Sequence, residues 1–370
     1  MDNFSKKYDR NQFIKFIEDK SNFKHISKEF KTGNTQLFKS IKQIGIIELD
    51  EDIPVYEVEH NSKNDPRIEL TRNFFSILSA NSIKTSIVIF FCEDSKKYRL
   101  SLIESSLKWV DNSKVKREFS SPKRLSFLLG EEAKIHTPFN QFKNKIKNYE
   151  DLKSRFDKEV VTEEFFENYK RLFLDLSKYL NEDKNFSQFS KKINLSTYLF
   201  AKKLLGQIVF CYFLQKKNWL GAKKNTSLDT GDSNFLRNRF TIIQKNKKNY
   251  FNDFLEPLFY LGLNFDNNNS YCDFLDCKIP YLNGGLFEPI ENYDWELENL
   301  DIPNKIFSNK EKKGILDIFD LYNFTVDENE DLDVDIAIDP EMLGNVYEKL
   351  LDIENREEKR AYYTPKELAV

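Results

Sequence analysis

Acidic residues are concentrated in the segment GIIELDEDIPVYEVEH, which covers residues 45–60. Its pattern predicts two short neighbouring β-strands, the second of which opens at Pro54. Carboxylates on adjacent strands are the groups that hold Mg²⁺ against a scissile phosphate during phosphodiester hydrolysis. We therefore consider a nuclease site here, with candidate metal ligands Glu48, Asp50 and Glu57. Glu59 joins these three as a catalytic candidate.

The second strand departs from the pattern that is usual for such sites. An acidic residue there is commonly followed two positions later by a lysine, whereas this chain has Glu57-Val58-Glu59. The two glutamates still point to the same face of the strand, because side chains alternate. The alternative is a half-exposed strand whose apolar residues pack while both glutamates face solvent. The sequence leaves both interpretations open.

Basic residues interleaved with aromatic residues are a second kind of candidate site. Such clusters can bind phosphates while an aromatic ring stacks on a base. The net charge of −3 gives no overall attraction to nucleic acid, so any DNA contact must come from local clusters. The alternative is an ordinary lysine-rich surface in water. The residues predicted to contact DNA are Lys123, Arg124, Lys216, Lys217, Lys223, Arg237 and Arg239.

Other common site chemistries have no support in the sequence. Cys272 and Cys277 are spaced more widely than most zinc-binding pairs, and the three histidines are isolated. No Walker or G-x-G-x-x-G phosphate loop occurs. The chain has no signal peptide, no disulfide framework and no uncharged apolar run of about 18 residues. We therefore expect a cytoplasmic protein that does not contact a membrane.

The elements that would position these candidates change character along the chain. Residues 1–44 have apolar residues at helical spacing, and residues 45–110 have the order β-β-α-β-β, which predicts a compact α/β core. Residues 111–150 are basic and loop-like, so we expect a domain boundary near residue 150. Residues 151–262 are dominated by helical periodicity. At 370 residues, two domains and part of a third are expected.

The closing stretch, PEMLGNVYEKLLDIENREEKRAYYTPKELAV, combines a helical run, a short basic stretch and the sequence YYTP. It resembles the start of the catalytic domain of the Eco57I-like, type IIG restriction–modification enzymes, which contain adenine-specific DNA methyltransferases. QIVFCYFLQKKNWLG and IPYLNGGLFEP resemble the helical region that precedes this domain in the family. RLSFLLGEEAKIHTPFNQF resembles the N-terminal part more loosely. The resemblance covers most of the chain.

The resemblance implies a cofactor and the residues that bind it. In that family the Thr-Pro segment belongs to the S-adenosylmethionine pocket, which makes Tyr362, Tyr363, Thr364 and Pro365 the expected cofactor-binding residues. The family's glycine-containing cofactor motif and its Asn/Asp-Pro-Pro-Tyr/Phe catalytic motif should follow, and neither occurs in these 370 residues. We therefore expect methyl transfer to adenine to be carried out beyond Val370 and not by this segment alone.

The expected fold is α+β and mostly α, in three parts. Residues 1–150 would form an α/β nuclease-like domain with a complete or degenerate site. Residues 151–337 would form a helical connector domain, and residues 338–370 would begin a Rossmann-like methyltransferase domain. The expected partner is double-stranded DNA, with room for further subunits of a phage-defence system, and the cofactors are S-adenosylmethionine and, for an active nuclease, Mg²⁺.

Three functions remain compatible with this sequence. The first is a bifunctional restriction–modification enzyme that cleaves DNA and methylates adenine. The second is an adenine methyltransferase whose N-terminal domain only binds DNA or another protein. The third is a free-standing binding module with no enzyme attached.

Overall fold

The computed structural model describes residues 4–31, 36–62, 67–105, 107–110, 116–119, 123–282, 284–326, 333–344, 346 and 348–350. The chain divides into two compact units. Unit 1 comprises Met1–Val161, Leu321–Asn323 and Asp327–Ala337, and unit 2 comprises Thr162–Asp320, Phe324–Val326 and Ile338–Val370. The boundary expected near residue 150 lies inside unit 1. Two short later segments also return to unit 1, which the sequence pattern did not indicate.

Unit 1 is built on one mixed β-sheet with helices against its faces. Its elements are α1 (Arg10–Lys20), β1 (Asn22–Phe30), β2 (Phe38–Glu48), β3 (Asp52–His60), α2 (Arg67–Ala80), β4 (Thr85–Phe91), β5 (Lys97–Glu104), β6 (Leu107–Val110), β7 (Lys116–Phe119), β8 (Lys123–Gly130), α3 (His136–Gln141), α4 (Tyr149–Ser154) and, where the chain returns, β11 (Asp333–Asp335).

The sheet order in unit 1 is β1-β2-β3-β4-β5-β8-β11. Neighbouring strands are antiparallel except for the parallel pairs β3–β4 and β8–β11. The run β2-β3-α2-β4-β5 is the β-β-α-β-β order indicated by the sequence, with α2 as the crossover between the parallel strands. The core between α2 and the sheet consists of Phe38, Ile41, Tyr56, Val58, Leu70, Phe74, Leu78, Val88, Phe90 and Ile103.

The expectation of a helical N-terminal segment is correct only for α1. The Asp9 side chain caps this helix by accepting from Gln12 N at 2.8 Å, and Phe13, Phe16 and Ile17 are buried. Residues 22–30 and 38–44 are strands instead. β1 lies at the edge of the sheet and buries none of its side chains fully. It therefore lacks the apolar alternation that identifies a strand, and pairing with β2 holds it in place.

The expectation of a loop for residues 111–150 is also wrong in part. β8 and α3 both lie in this stretch. β8 reads KRLSFLLG, and its residues from Arg124 to Phe127 are buried, as is Leu129. The basic residues at its start suggested a solvated loop, whereas the strand pairs with β5 on one side and with β11 on the other.

Unit 2 is mostly helical. Its elements are α5 (Lys158–Glu182, which begins in unit 1), α6 (Lys184–Lys192), α7 (Thr197–Lys216), α8 (Phe235–Lys245), two π-helical segments (Phe251–Leu255 and Leu258–Leu263), the hairpin of β9 (Tyr271–Cys272) and β10 (Cys277–Lys278), α9 (Asn304–Phe307) and α10 (Ile315–Phe319).

The core of unit 2 forms around α7. This helix is long and apolar enough to span a membrane by length and composition, but 67% of its most apolar window is buried inside the structure, as in a core helix. The Tyr212 ring lies against Phe319 and Phe324, with ring centroids 5.5 and 5.1 Å away. Residues 340–344 are helical, as expected, and Met342 N donates to Asp339 Oδ1 at 2.9 Å. The expected cofactor-binding residues, Tyr362, Tyr363, Thr364 and Pro365, lie outside the described residues.

Candidate functional site

Glu57 is the one candidate catalytic residue held in a specific charged environment inside the protein. It lies in β3 and is 3% exposed. Tyr56 and Val58, its neighbours, face the core under α2, so Glu57 points to the opposite face of the sheet. There Arg10, at the start of α1, donates from Nε to Glu57 Oε2 at 2.5 Å and from Nη2 to Oε1 at 2.6 Å. The Tyr8 hydroxyl donates to Oε2 at 3.0 Å.

This bidentate pair determines what Glu57 can do. The hydrogen bonds that Arg10 donates to Glu57 are the largest influence on the Arg10 pKa, which is raised from its ordinary value. Burial, and next the Glu57 charge, raise the pKa of Tyr8, so this hydroxyl stays protonated. Both carboxylate oxygens therefore accept from donors that carry or retain a proton. A divalent cation could bind Glu57 only after Arg10 had moved away, because the two positive charges would repel each other.

The other two proposed metal ligands lie at the far end of the same hairpin. Glu48 is opposite Asp52 at the β2–β3 turn, whereas Glu57 is opposite Lys42. Glu57 is five positions beyond Asp52, which corresponds to about 16 Å along an extended strand. Asn22 donates to Glu48 at 2.7 Å, and Asp50 accepts from Tyr149 N at 2.6 Å. The structure does not bring Glu48 and Asp50 together with Glu57, so these three cannot share one ion.

Glu59, the fourth catalytic candidate, shares a face with Glu57 and has a different partner. Lys39 Nζ lies 2.6 Å from Glu59 Oε1 and 2.7 Å from Glu93 Oε2. These two carboxylates raise the Lys39 pKa. Lys39 therefore provides positive charge next to Glu59, although it comes from β2 and not from the triplet. Within the described ranges, no group of three or more His, Cys, Asp or Glu residues is arranged to hold a metal ion.

Three of the residues predicted to contact DNA are engaged inside the protein. Arg124 is 0% exposed and donates to Ser101 Oγ at 3.0 Å, with its guanidinium 4.2 Å from the Phe90 ring centroid. Arg239 donates to Leu275 O at 3.0 Å. Long basic side chains can bury their stems and still pair internally, and sequence alone does not distinguish this case.

Arg237 is the third of these internal arginines. It donates to Asp320 Oδ2 at 2.6 Å, to Asp317 Oδ1 at 3.0 Å and to Ser308 Oγ at 2.8 Å. Burial lowers its pKa and the Asp320 carboxylate raises it, with a net rise. The guanidinium is thus committed to a network within unit 2. DNA contact by Arg124, Arg237 and Arg239 therefore stays a prediction, and the structure places all three in hydrogen bonds within the protein.

The lysines among the predicted DNA contacts are on the surface. Lys123, Lys216, Lys217 and Lys223 are exposed. Lys217 Nζ lies 4.8 Å from the centroid of the Trp219 ring, which is within the range of a cation–π contact. That these four exposed residues contact phosphate stays a prediction.

Sequence reasoning missed the residues that pair with the buried acids. Arg10 is 47 positions from Glu57 in the chain, and Arg99 is 236 positions from Asp335, to which it donates at 2.8 Å. Neither arginine forms a motif with its partner. The only local feature that marks Arg10 is its position directly after Asp9, the residue that caps α1.

One curated protein supports the kind of function that the closing motif implies. The chain is 28% identical over 247 residues to a protein of Methanocaldococcus jannaschii provisionally named as a type II restriction enzyme and methyltransferase. The match covers 57% of this chain and 19% of the relative, so the chain spans about a fifth of that relative's length. No protein-family profile and no solved structure match. The match supports a relationship to restriction–modification enzymes in general.

Proposed function

We propose that the chain is the N-terminal region of a restriction–modification protein that N6-methylates adenine in double-stranded DNA, and that unit 1 contacts DNA without cutting it. The similarity to a restriction enzyme and methyltransferase supports the first part. The observation that carries the second part is the pairing of Glu57 with Arg10 at 2.5 and 2.6 Å, which occupies the oxygens that a nuclease metal would need.

The remaining roles follow from the same proposal. Unit 2 is a helical connector whose exposed lysines Lys216, Lys217 and Lys223 contact the phosphate backbone. Methyl transfer requires S-adenosylmethionine, and Tyr362 to Pro365 are the residues of this chain that would line its pocket. Such a protein works in the cytoplasm, where its DNA substrate is.

A second candidate function is supported by the exposure of Arg10. Its side chain is 45% exposed, so its guanidinium has a route into solvent and away from Glu57. Glu57 would then be released from Arg10 and would lie on the same face of β3 as Glu59, which pairs with Lys39. Together the two carboxylates would hold Mg²⁺ for phosphodiester hydrolysis. In this case the full-length protein would be a bifunctional restriction–modification enzyme.

Plasmid cleavage by the full-length gene product separates the two candidates. Wild type, Glu57→Ala, Arg10→Ala and the matched exposed control Glu29→Ala are incubated with Mg²⁺ and S-adenosylmethionine, and adenine methylation is measured in the same tubes. We expect methylation by all four proteins and cleavage by none. Cutting by wild type and Glu29→Ala that is lost in Glu57→Ala would establish the nuclease. Absence of methylation from the wild type would refute the restriction–modification proposal itself.

A further inference from the structure

Unit 1 contains a cavity that is separate from Glu57 and unused by the proposed function. Its volume is about 330 Å³, and it is open to solvent between the second half of α1 and the segment that includes α3. This volume is at the lower end of the range for small-molecule sites. The cavity is lined by Phe4, Lys15, Phe16, Asp19, Lys20, Phe139, Phe142 and Lys143.

The apolar wall of the cavity is a set of aromatic rings in fixed positions. The Phe16 ring centroid lies 4.8 Å from that of Phe4 and 6.0 Å from that of Phe142, and all three side chains are buried. Phe139 is only half-buried, so its ring is accessible to a ligand in the cavity. Gly130 N donates to Phe4 O at 2.9 Å, which ties the N-terminal wall to the end of β8. The cavity is therefore preformed.

The polar rim of the cavity carries an excess of positive charge. The charges of Asp19 and Lys20 cancel, because Lys20 Nζ lies 2.8 Å from Asp19 Oδ2. Lys20 Nζ also donates to Lys143 O at 3.0 Å, which holds the two sides of the rim together. Lys15 and Lys143 have no ion pair with any described residue. Two uncompensated ammonium groups thus stand at the mouth of an aromatic cavity.

We propose that this cavity binds one nucleotide, with its base against the rings and its phosphate between Lys15 and Lys143. Aromatic rings bind the flat face of any base, and lysines bind phosphate as point charges. A nucleotide matches both features of the cavity, because its flat base suits the aromatic wall and its phosphate suits the two lysines. A purely apolar ligand would leave the two lysines without a partner. The nucleotide is either a free mononucleotide or one residue of a single strand. This proposal rests on the cavity and does not require the restriction–modification role.

Binding measurements on the 370-residue chain test the proposal. Fluorescence anisotropy of a labelled oligo-dT probe and calorimetry with dAMP distinguish the strand from the free nucleotide. The test variant is Lys15→Glu/Lys143→Glu, and the matched control is Lys24→Glu/Lys31→Glu, which changes two exposed lysines outside the cavity. We expect the test variant to weaken binding at least tenfold and the control to weaken it far less. For the strand, the slope of log K against log salt should fall by about 0.7 in the test variant, because one phosphate contact is lost.

Substitution of Phe139 separates stacking from packing. Phe139→Leu keeps an apolar side chain and removes the ring, and we expect it to weaken binding about fivefold or more while the circular dichroism spectrum stays unchanged. Binding of dAMP alone identifies a free-nucleotide site, and binding of oligo-dT alone identifies a strand site. The proposal is overturned if wild type binds neither probe, or if the control lysines matter as much as Lys15 and Lys143. These measurements involve neither cleavage nor methylation, so their failure is distinct from failure of the proposed function.

Discussion

Among the described residues, each unit of the protein buries one glutamate, and the two carboxyl groups have opposite kinds of partner. Glu57 in unit 1 is 3% exposed and Glu256 in unit 2 is 2% exposed. Glu57 is clamped by the Arg10 guanidinium. Glu256 has no ion pair within the part of the chain that the structure describes, and the Tyr293 hydroxyl donates to its Oε1. Burial, offset only in part by this hydrogen bond, raises the pKa of Glu256 to about 8.

The comparison shows that burial alone does not determine the charge state of an acid. A buried carboxyl either recruits a cation or becomes protonated, because an isolated charge in a low-dielectric interior is costly. Unit 1 uses the first solution, where the sequence suggested a metal ion as the cation. Unit 2 uses the second solution at a site with no sequence signal. The negative charge of Glu57 is thus neutralised by an arginine from α1 and not by a metal ion. For this reason we favour a binding role for unit 1.

The largest effect that tests this comparison is the pH dependence of unit 2. The folded-state pKa of Glu256, about 8, is above the ordinary value of 4.5 for an exposed Glu. The folded state therefore binds more protons than the unfolded state between these values. The stabilisation is fully present below pH 4.5 and is lost progressively as pH rises to about 8. At about 1.4 kcal/mol per pH unit across this interval, the loss has an upper limit of about 5 kcal/mol.

Urea unfolding at a series of pH values measures this loss. Glu256→Gln should flatten the decline, since a glutamine stays neutral and can still accept from Tyr293. The control is Glu311→Gln, at an exposed glutamate of the same unit, which should keep the wild-type pH dependence. A decline of wild-type size in Glu256→Gln would show that this residue is not its source.

Removal of the cation from unit 1 should turn Glu57 into a residue like Glu256. Arg10→Met leaves a buried carboxylate without its partner, a change that costs about 3–5 kcal/mol for a fully buried pair. Because the Arg10 side chain is 45% exposed, solvent should reduce this to about 2 kcal/mol at pH 7. Urea unfolding of Arg10→Met should also become more favourable as pH rises, in the same direction as for Glu256.

A double substitution checks that the cost comes from the exposed charge and not from lost packing of the arginine stem. Arg10→Met/Glu57→Gln should recover most of the stability, because neither partner is then charged. Arg72→Met replaces another arginine of unit 1 and serves as the control. Equal destabilisation in the single and double variants would contradict the role assigned to Arg10.

The elements of unit 1 that the sequence pattern predicts are those with regular burial. β2, β3, α2, β4 and β5 appear in the expected order because each alternates or repeats its apolar residues against one core. The edge strand β1 and the basic start of β8 were not predicted, because their side chains lack the alternation of apolar and polar residues that indicates a paired strand. β11 is a special case: it is anchored by Asp335, which pairs with Arg99 from far along the chain.

The candidate site was predictable by residue type and not by partner. The acids of the hairpin and the exposed lysines were found from local sequence, but the hairpin register decides which acids meet. That register places Glu48 and Glu57 at opposite ends. The partners of the buried groups, such as Arg10 for Glu57 and Asp320 for Arg237, are long-range contacts that only the fold specifies. Single-sequence patterns carry no information about them.

The smallest effect on stability is expected from substitution of Lys39. This substitution compares the Lys39–Glu59 pair with the Arg10–Glu57 pair. Lys39 lies close to both Glu59 and Glu93, and half of its side chain is exposed. The Glu59 side chain is 13% exposed, but the Lys39 ammonium is shared with the exposed Glu93 and is screened by water and salt. Lys39→Met should therefore lower the urea midpoint far less than Arg10→Met does. The measurement is the same unfolding series used for Arg10→Met. If Lys39→Met destabilised unit 1 as much as Arg10→Met, the burial of Glu57 would not be the reason that its arginine matters.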